Sequence, residues 1–448
     1  MSAPRPDILV FFTDQQRWDT CGCYGQRLPV TPVLDRLAAE GVRFANTFTC
    51  QPVCGPARAA LQTGLYPTRL GCETNHRMLP LDADTIAKRL GAAGYRTGYL
   101  GKWHLASFGP RDMADDVRIR AVPPERRGGY ADWWLAADAL EFTSHGYGGH
   151  MFDGEGRKRE WPESVYRVDA QTDWLLQHLR ERPTDRPWLT FVSYLEPHHQ
   201  NDRNVYEGPH GSKQTWADYD VPGDLAGTEG DWRANYADYL GCCNALDRAL
   251  GRVVDELKRQ GRLDSTLIIF TSDHGTHFRT RNPEYKRSCH DNSLRIPLVV
   301  RGPGFRGGQV VERLACNLDL PGTILAAAGV DPPKVFDGGT LQGISDGSLD
   351  RTAVLAQISE SQCGRCVRTA RWTYSVTSPG GQTDGQLPAS PVYREDFLYD
   401  NATDPHQRVN RIADPALAGE RERLRALLLA EMERVGEARP EIRIHGCP

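Results

Sequence analysis

The 448-residue sequence has no apolar run that approaches the roughly 20 residues needed to span a bilayer. It also lacks a recognisable secretory leader, because Met1 to Arg5 lead directly into the strand-like residues 7–12 without a long apolar segment or a cleavage site. Basic charge is not in excess: the formal net charge is -4, whereas a general nucleic-acid binder would show a strongly basic face. We therefore expect a cytoplasmic protein that binds neither membrane nor nucleic acid.

A complete zinc-binding cysteine pattern is missing as well. The chain has 12 cysteines, but Cys363 and Cys366 form a lone CxxC, and a structural zinc site needs a second pair at matching spacing. Because no export signal is present, we expect reduced thiols rather than disulfides. The adjacent Cys242 and Cys243 lie in a predicted helix, which indicates packing. Cysteine usage thus argues against a zinc or redox protein.

What the chain does have is a regular alternation of apolar strand-like runs with helical segments, and this extends over its first two thirds. Strands are predicted at 7–12, 96–100, 188–195, 266–270 and 297–300, and helices at 31–40, 57–63, 84–93, 166–179 and 232–260. Such alternation is typical of an α/β fold with a large, mostly parallel sheet sandwiched by helices. Residues 105–165, rich in glycine, proline, tryptophan and charge, are predicted to form an irregular insertion that makes one wall of a site.

The last third has a different pattern. Short strand-like pieces at 353–358, 366–369, 374–377 and 396–399 lie between helical segments at 317–328 and 416–434. This order indicates a small antiparallel sheet with one packed helix. We therefore predict a main α/β domain over residues 1–330 and a smaller α+β subdomain over residues 331–448.

Polar residues follow several of the predicted strands. Asp14, Lys102, His198 and Asp273 each come just after a strand. In open α/β sheets ligands bind beyond the carboxyl ends of the strands, so we expect these four side chains to share one site. Carboxylates suit hard divalent cations, and the imidazole of His274 beside Asp273 leaves the choice of metal open.

One short motif points to a specific chemistry. Cys54-Gly-Pro-Ala-Arg58, followed by Leu61-Gln-Thr-Gly64, resembles the signature of type I sulfatases, which belong to the alkaline phosphatase superfamily. Further segments are similar to that family in the same order: Ile8 to Asp14, Tyr99 to His104, Thr271 to Gly275, and Lys286 nine positions before Arg295. The resemblance implies that a formylglycine-generating enzyme oxidises Cys54 to formylglycine, whose hydrated aldehyde supplies the nucleophile.

The resemblance also implies roles for individual residues. Metal ligands are expected at Asp14, Gln15, Cys54, Asp273 and His274, with calcium the expected ion and magnesium or manganese as alternatives. Catalytic roles are expected for Cys54, Arg58, Lys102, His104, His198 and Lys286, and substrate contacts for Asn75 and His199. Arg58, Lys102 and Lys286 would bind the substrate's oxygens. His198 would protonate the leaving alcohol, and His104 would orient or deprotonate the nucleophile.

Two departures from the commonest family pattern leave alternatives open. Gln15 and His274 stand where the family often has aspartate and asparagine, and both resemble the related phosphonate monoester hydrolases, as does Asn75. Lys102 and His104, in contrast, match the sulfatases. The expected activity is hydrolysis of a small sulfate ester. A phosphonate monoester or phosphodiester hydrolase and a non-catalytic binder of sulfated ligands are the alternatives, and a homo-oligomer is possible.

Two further expectations concern neighbours of this motif set. Trp133, Trp134 and Trp161, in the predicted insertion, would either stack on a sugar or aryl ring or pack in the protein interior. Arg287, next to Lys286, is expected to be a solvated neighbour.

Overall fold

A computed structural model describes residues 5–107 and 116–444, and it confirms the predicted α/β class. Within these residues the larger sheet has ten strands in the order β10-β2-β9-β8-β1-β7-β3-β4-β5-β6. Their bounds are β1 Asp7–Thr13, β2 Val42–Phe48, β3 Arg96–Lys102, β4 Trp133–Ala137, β5 Tyr147–Asp153, β6 Lys158–Tyr166, β7 Trp188–Ser193, β8 Thr266–Ser272, β9 Leu298–Arg301 and β10 Gln309–Cys316. The five central strands, β8-β1-β7-β3-β4, run parallel to one another.

Both faces of this sheet are covered, which explains why its central strands are apolar throughout. Every residue of β1 is buried. Ile8, Val10 and Phe12 pack on one face with the helices Ile86–Ala92 and Asp319–Ala327, and Leu9 and Phe11 pack on the other with the helices Arg167–Glu181 and Trp232–Arg259. Side chains that alternate between two apolar layers give the continuous hydrophobic run expected of a buried parallel strand.

Twelve α-helices lie in the described part of the chain. They are α1 Pro32–Glu40, α2 Cys54–Thr63, α3 Pro67–Leu70, α4 Ile86–Ala92, α5 Leu140–Thr143, α6 Arg167–Glu181, α7 Ser212–Thr215, α8 Trp232–Arg259, α9 Asp291–Leu294, α10 Asp319–Ala327, α11 Leu341–Asp346 and α12 Ala418–Arg434. None of these described helices combines the length and the apolar character that crossing a bilayer requires.

The prediction that residues 105–165 are irregular was wrong at 133–137, 147–153 and 158–165. Three strands, β4 to β6, extend the large sheet there, and residues 108–115 lie outside the described residues. β5 and β6 pair antiparallel at the sheet edge, and most side chains of β6 are exposed. A solvent-facing edge hairpin needs few apolar residues, so its sequence resembles a loop. Strands β2 and β10 were also not predicted.

The smaller sheet has the order β11-β12-β13-β14-β15, with bounds Ala353–Ile358, Gly364–Thr369, Trp372–Thr377, Val392–Asp400 and Glu441–Arg443. It is antiparallel as predicted, except that β15 pairs parallel with β14. Helix α12 packs on it, as expected. Its apolar side chains form one cluster with Phe48 of β2 and Ala60 of α2. The two regions therefore share a core, and the domain boundary at residue 330 stays a prediction.

A buried ion pair holds the smaller sheet against the segment that carries Lys286. Arg368 of β12 donates two hydrogen bonds to Asp291 of α9, of 2.8 and 2.9 Å, and both side chains are largely buried. We expect Arg368→Met to lower the free energy of unfolding by about 3–5 kcal/mol, because it leaves a buried carboxylate without its partner. Chemical denaturation measures the change.

The exposed pair of Arg439 and Glu433, 2.9 Å apart, offers a matched control. Arg439→Gln should change the unfolding free energy by no more than about 1 kcal/mol. Equal effects of the two substitutions would contradict a stabilising role for the Arg368–Asp291 pair.

Candidate active site

The carboxyl ends of four neighbouring strands bring charged side chains together. Asp14 follows β1 and Asp273 follows β8, and the in-register pairing of Thr13 with Ser272 sets these two residues side by side. Lys102, the last residue of β3, lies with its Nζ 2.9 Å from Asp14 Oδ2. The strand-end reasoning therefore placed these residues correctly relative to one another.

A group of four side chains at this point has the geometry of a metal site. The ligand atoms of Asp14, Cys54, Asp273 and His274 all lie within 4.8 Å of one another, and all four residues are buried. His274 Nδ1 lies 2.9 Å from the carbonyl oxygen of Gly275, to which it donates. The lone pair of His274 Nε2 is consequently directed at the group, 3.3 Å from Cys54 Sγ.

Arg58 links the two carboxylates. Its Nη2 lies 2.9 Å from Asp14 Oδ2 and 3.4 Å from Asp273 Oδ2. Burial and Cys54 would raise the pKa of Asp14, but the charges of Lys102, His198 and Arg58 outweigh them and lower it. Burial and the neighbouring Asp14 raise the pKa of Asp273 to about 6. The two carboxylates thus compete for the same positive charge.

Cys54 begins helix α2 and is the most distinctive thiol of the chain. Its Sγ lies 2.8 Å from Lys286 Nζ and 3.6 Å from Asp14 Oδ1. Burial would raise its pKa, but Lys102, Lys286 and His274 lower it well below the usual value. Burial instead raises the pKa of the other ten described cysteines: Cys21, Cys23, Cys50, Cys72, Cys242, Cys243, Cys289, Cys316, Cys363 and Cys366. Position 54 is therefore built to stabilise negative charge.

Lys286 connects this group to the histidines that follow β7. Its Nζ lies 3.3 Å from both His198 Nε2 and Gln15 Oε1. Burial and the charge of Lys286 lower the pKa of His198. The backbone N–H of Gln15 donates to Asp273 Oδ1 over 2.9 Å, whereas its side-chain oxygen accepts from Lys286. Its role as a metal ligand stays a prediction.

The remaining predicted residues surround a cavity of about 220 Å³ that opens above Cys54; we call it the site cavity. Asn75 Oδ1 accepts a 2.8 Å hydrogen bond from the backbone N–H of Gly55, and the ring of His199 stacks on Tyr285 at 3.9 Å. Gln15 and His104 have φ values of 68° and 58°. Such left-handed backbone is strained for these residue types and concentrates at functional sites.

Comparison with known proteins identifies the family. The sequence model described as Sulfatase matches residues 6–330, which is well over half of the chain. The chain belongs to the sulfatase family. This sulfatase-family chain is 28% identical to the ulvan-active sulfatase of Formosa agariphila, over 97% of its own length and 82% of that protein's.

Solved structures share the fold. A candidate sulfatase from Bacteroides fragilis superposes with a TM-score of 0.82 at 24% identity, covering 98% of this chain and 97% of that one. The phosphonate monoester hydrolase of Agrobacterium radiobacter superposes with a TM-score of 0.74 at 23% identity, covering 96% of each chain.

The residues of this sulfatase-family site fit a divalent cation. Two carboxylates and one correctly oriented imidazole nitrogen converge on one point, and hard cations prefer such oxygen-rich donor sets. The positive charge is unevenly shared, because Asp14 contacts both Arg58 and Lys102 at 2.9 Å, whereas Asp273 lies 3.4 Å from Arg58. Among the described residues this is the one group with metal-binding geometry, and the lone CxxC at Cys363 takes no part in it.

One prediction about a neighbouring residue was wrong, and for Trp133 and Trp134 the packing alternative is the one observed. Arg287 is not a solvated neighbour: it is half-buried, lines the site cavity and pairs with Glu284 and Glu360. Trp133 and Trp134 line a separate cavity of about 410 Å³ at the amino ends of β3 and β7, away from the site. Bulky side chains near strand starts pack at the opposite end of the sheet from the polar strand ends.

Trp161 belongs to a third region, a groove next to the site cavity, and its side chain is buried.

Sequence reasoning missed three contributors. Ser193, the last residue of β7, accepts a 2.6 Å hydrogen bond from Arg58. Glu141 of α5 pairs with Lys102, and Glu360 from the β11–β12 loop reaches the cavity wall. Had β4 been recognised, the strand-end rule would have drawn attention to Glu141 four residues beyond it.

We expect Arg58→Met to lower the melting temperature when a chelator is present. Two adjacent buried carboxylates lose the cationic side chain that they share, which should lower the free energy of unfolding by about 3–5 kcal/mol. Divalent cations should restore more stability to this variant than to the unchanged protein, since binding to the folded state alone stabilises it. Thermal unfolding with chelator and with added cation measures both effects.

Arg365→Met is the matched control. Arg365, in β12 of the smaller sheet, is equally buried and pairs with Glu437 at 2.7 Å. It should destabilise without any cation-dependent recovery. Recovery of the same size in both variants would argue against the metal group.

Proposed function

We propose that this protein hydrolyses a sulfate ester to an alcohol and inorganic sulfate, with formylglycine at position 54 and a divalent cation. The observation that carries the proposal is the surrounding of Cys54. This one thiol starts a helix, contacts both a candidate metal group and Lys286, and has its anionic form favoured. A nucleophile held among cations is what attack on an anionic ester requires.

Two groups supply chemistry that the side chains lack. A formylglycine at position 54 supplies the attacking hydroxyl, and a bound divalent cation supplies positive charge to it and to the ester oxygens. Asp14, Asp273 and His274 would hold the cation, with position 54 and Gln15 as further ligands. We propose calcium, because carboxylate and amide oxygens dominate this set, with magnesium or manganese as alternatives. Melting curves with each ion in turn identify the preferred one.

The chain's own cations bind and orient the anionic ester. Arg58, Lys102 and Lys286 are all buried; Lys286 contacts Cys54, whereas Arg58 and Lys102 contact Asp14 beside it. Charge that is fixed before substrate arrives stabilises developing negative charge on the ester oxygens without reorganisation. In this proposal Lys102 and Lys286 contact the ester directly, whereas Arg58 acts chiefly by fixing Asp14.

His198 delivers a proton to the leaving oxygen. Its Nδ1 lies 2.5 Å from the carbonyl oxygen of His199, so Nδ1 is the protonated donor and Nε2 faces Lys286 and the cavity. Burial and Lys286 lower the pKa of His198, and an anionic substrate would offset the charge of Lys286 and favour protonation at Nε2. His104 lines the same cavity and orients or deprotonates the nucleophile.

The second candidate function is hydrolysis of a phosphonate monoester or phosphodiester on the same scaffold. Gln15 favours it, because the neutral amide gives the metal group one fewer negative charge than a second aspartate would. Retention of Lys102 and His104 beside position 54 supports the sulfatase assignment. A non-catalytic binder of sulfated ligands is a weaker candidate, since every motif position carries a chemically competent residue.

The size of the site cavity supports a small substrate. A volume of about 220 Å³ suits the ester group and a small alcohol more than a polymer segment. A formylglycine-generating enzyme is the proposed partner. The cytoplasmic location and a homo-oligomeric state stay predictions.

Turnover should follow modification of Cys54. Protein co-expressed with a formylglycine-generating enzyme is expected to hydrolyse p-nitrophenyl sulfate in proportion to its modified fraction, measured by mass spectrometry of the peptide around residue 54. Cys54→Ala should lose at least about 10³-fold in kcat, because the nucleophile is absent.

A p-nitrophenyl phosphonate ester, assayed beside the sulfate, separates the two candidate functions. Preference for the phosphonate would assign the protein to the second candidate. Full modification without turnover of either ester would leave a narrow natural substrate or the binding role, and would count against the proposed mechanism.

The proton delivered by His198 should matter most for poor leaving groups. We expect His198→Asn to reduce kcat/KM by about 10²–10⁴-fold for phenyl sulfate, and far less for p-nitrophenyl sulfate, whose leaving group needs no proton. Steady-state kinetics on a series of substituted phenyl sulfates gives the dependence on leaving-group basicity.

His199→Asn serves as the control, because His199 is adjacent and its imidazole instead packs on Tyr285. His199→Asn should reduce kcat/KM by a similar factor for all substrates in the series. An equal loss across the series in His198→Asn would contradict the role of a general acid.

A further inference from the structure

Glu141 is a buried carboxylate that neither the metal group nor the proposed chemistry uses. It lies in α5, directly after β4, and lines the site cavity with only 6% of its surface exposed. Its Oε1 lies 3.1 Å from Lys102 Nζ, and the side-chain amide of Gln200 donates to its backbone oxygen over 2.8 Å. The fold therefore holds this carboxylate in place beside the predicted ester-binding lysine.

Glu141 is not needed to neutralise Lys102. Asp14 already lies 2.9 Å from the same Nζ, so this lysine faces two carboxylates. The second oxygen of Glu141, Oε2, is buried and has no hydrogen-bond partner among the described residues. An unsatisfied buried carboxylate oxygen destabilises the fold. A purely structural role does not account for it.

The Glu141 side chain is nevertheless charged. Burial raises its pKa, but Lys102, His104 and His198 outweigh burial and lower the pKa to about 2.

Three cations (Arg58, Lys102 and Lys286) thus face three carboxylates (Asp14, Asp273 and Glu141). Arg287, also at the cavity, has its own carboxylates in Glu284 and Glu360. Glu141 consequently reduces by one the positive charge available to a bound anion.

We propose that Glu141 is a specificity-determining residue that restricts the site to singly charged esters. This inference rests on the proposed function. Sulfate monoesters and phosphonate monoesters carry one negative charge, whereas a phosphate monoester carries about two at neutral pH. The fixed carboxylate of Glu141 repels the second charge and so selects substrates by charge rather than by the central atom.

The size of the effect follows from Coulomb's law. A substrate oxygen held by Lys102 would lie about 6 Å from the Glu141 carboxylate, taking about 3 Å for each hydrogen bond. One additional unit charge at about 6 Å and an effective dielectric constant of about 20 changes affinity by roughly a hundredfold. Screening by water in the cavity reduces this, so we expect about ten- to a hundredfold.

The test compares Glu141→Gln with the unchanged protein on three esters: p-nitrophenyl sulfate, p-nitrophenyl phenylphosphonate and p-nitrophenyl phosphate. At pH 8 the first two are monoanions and the third is a dianion. The ratio of kcat/KM for phosphate to that for sulfate should rise by about ten- to a hundredfold in the variant. The ratio of phosphonate to sulfate should stay within about threefold, because those charges are equal.

Glu141→Asp is the matched control, because it keeps the charge and shortens the side chain. Its phosphate-to-sulfate ratio should remain close to that of the unchanged protein, even if all rates fall. An unchanged ratio in Glu141→Gln would overturn the inference, as would a rise in the phosphonate ratio equal to that of phosphate. Both results would indicate that Glu141 only supports the local structure.

A binding measurement keeps the inference separate from the proposed function. Calorimetry with methanesulfonate, a monoanion, and inorganic sulfate, a dianion, needs no turnover and uses the full chain. Glu141→Gln should tighten sulfate binding by about ten- to a hundredfold relative to methanesulfonate. This shift without any esterase activity would leave charge selection standing and reject the hydrolase. If Glu141→Gln changes the affinity for both anions by the same factor, or changes neither affinity, the inference is wrong.

Discussion

The site depends on two carboxylates, Asp14 and Asp273, that lie fully buried side by side at the ends of β1 and β8. Neighbouring buried charges of the same sign are unfavourable unless positive charge reaches both. Arg58 contacts both carboxylates, His274 Nε2 lies 3.9 and 3.5 Å from them, and Lys102 contacts Asp14. A divalent cation held by these carboxylates would give the site an excess of positive charge, which binding of an anionic ester requires.

The parallel sheet is what makes this concentration of charge possible. Strands β8, β1, β7 and β3 are neighbours in that order, so the residues that follow them converge on one edge although they are far apart in sequence. Apolar layers on both faces keep water away from the edge. Cys54 becomes acidic, unlike the other buried thiols, because Lys102, Lys286 and His274 surround it, and the low local dielectric strengthens their effect.

The sequence was sufficient to predict the parts of the fold that rest on local pattern. Strands β1, β3, β7 and β8 and the long helices have strong periodicity and were predicted correctly, and the family that the Cys54 motif indicated is confirmed. β5 and β6 escaped prediction because an exposed edge hairpin has little apolar signal. Glu141 was missed because β4, which ends four residues before it, was not predicted. Arg287 was misjudged because its burial depends on Glu360, 73 residues away in sequence.

Glu360 also bears on how far the two predicted domains are independent. The family match ends at residue 330, yet Glu360, which lies beyond that residue, lines the site cavity. Glu360 accepts a 2.6 Å hydrogen bond from the backbone of Asn75 and pairs with Arg287, so it connects two walls of the cavity. The smaller sheet packs its apolar side chains into one cluster with β2 and α2, the helix that begins at Cys54. A shared core and a shared cavity wall mean that the C-terminal region shapes the substrate entrance, so differences there can change specificity without altering position 54 or the metal group.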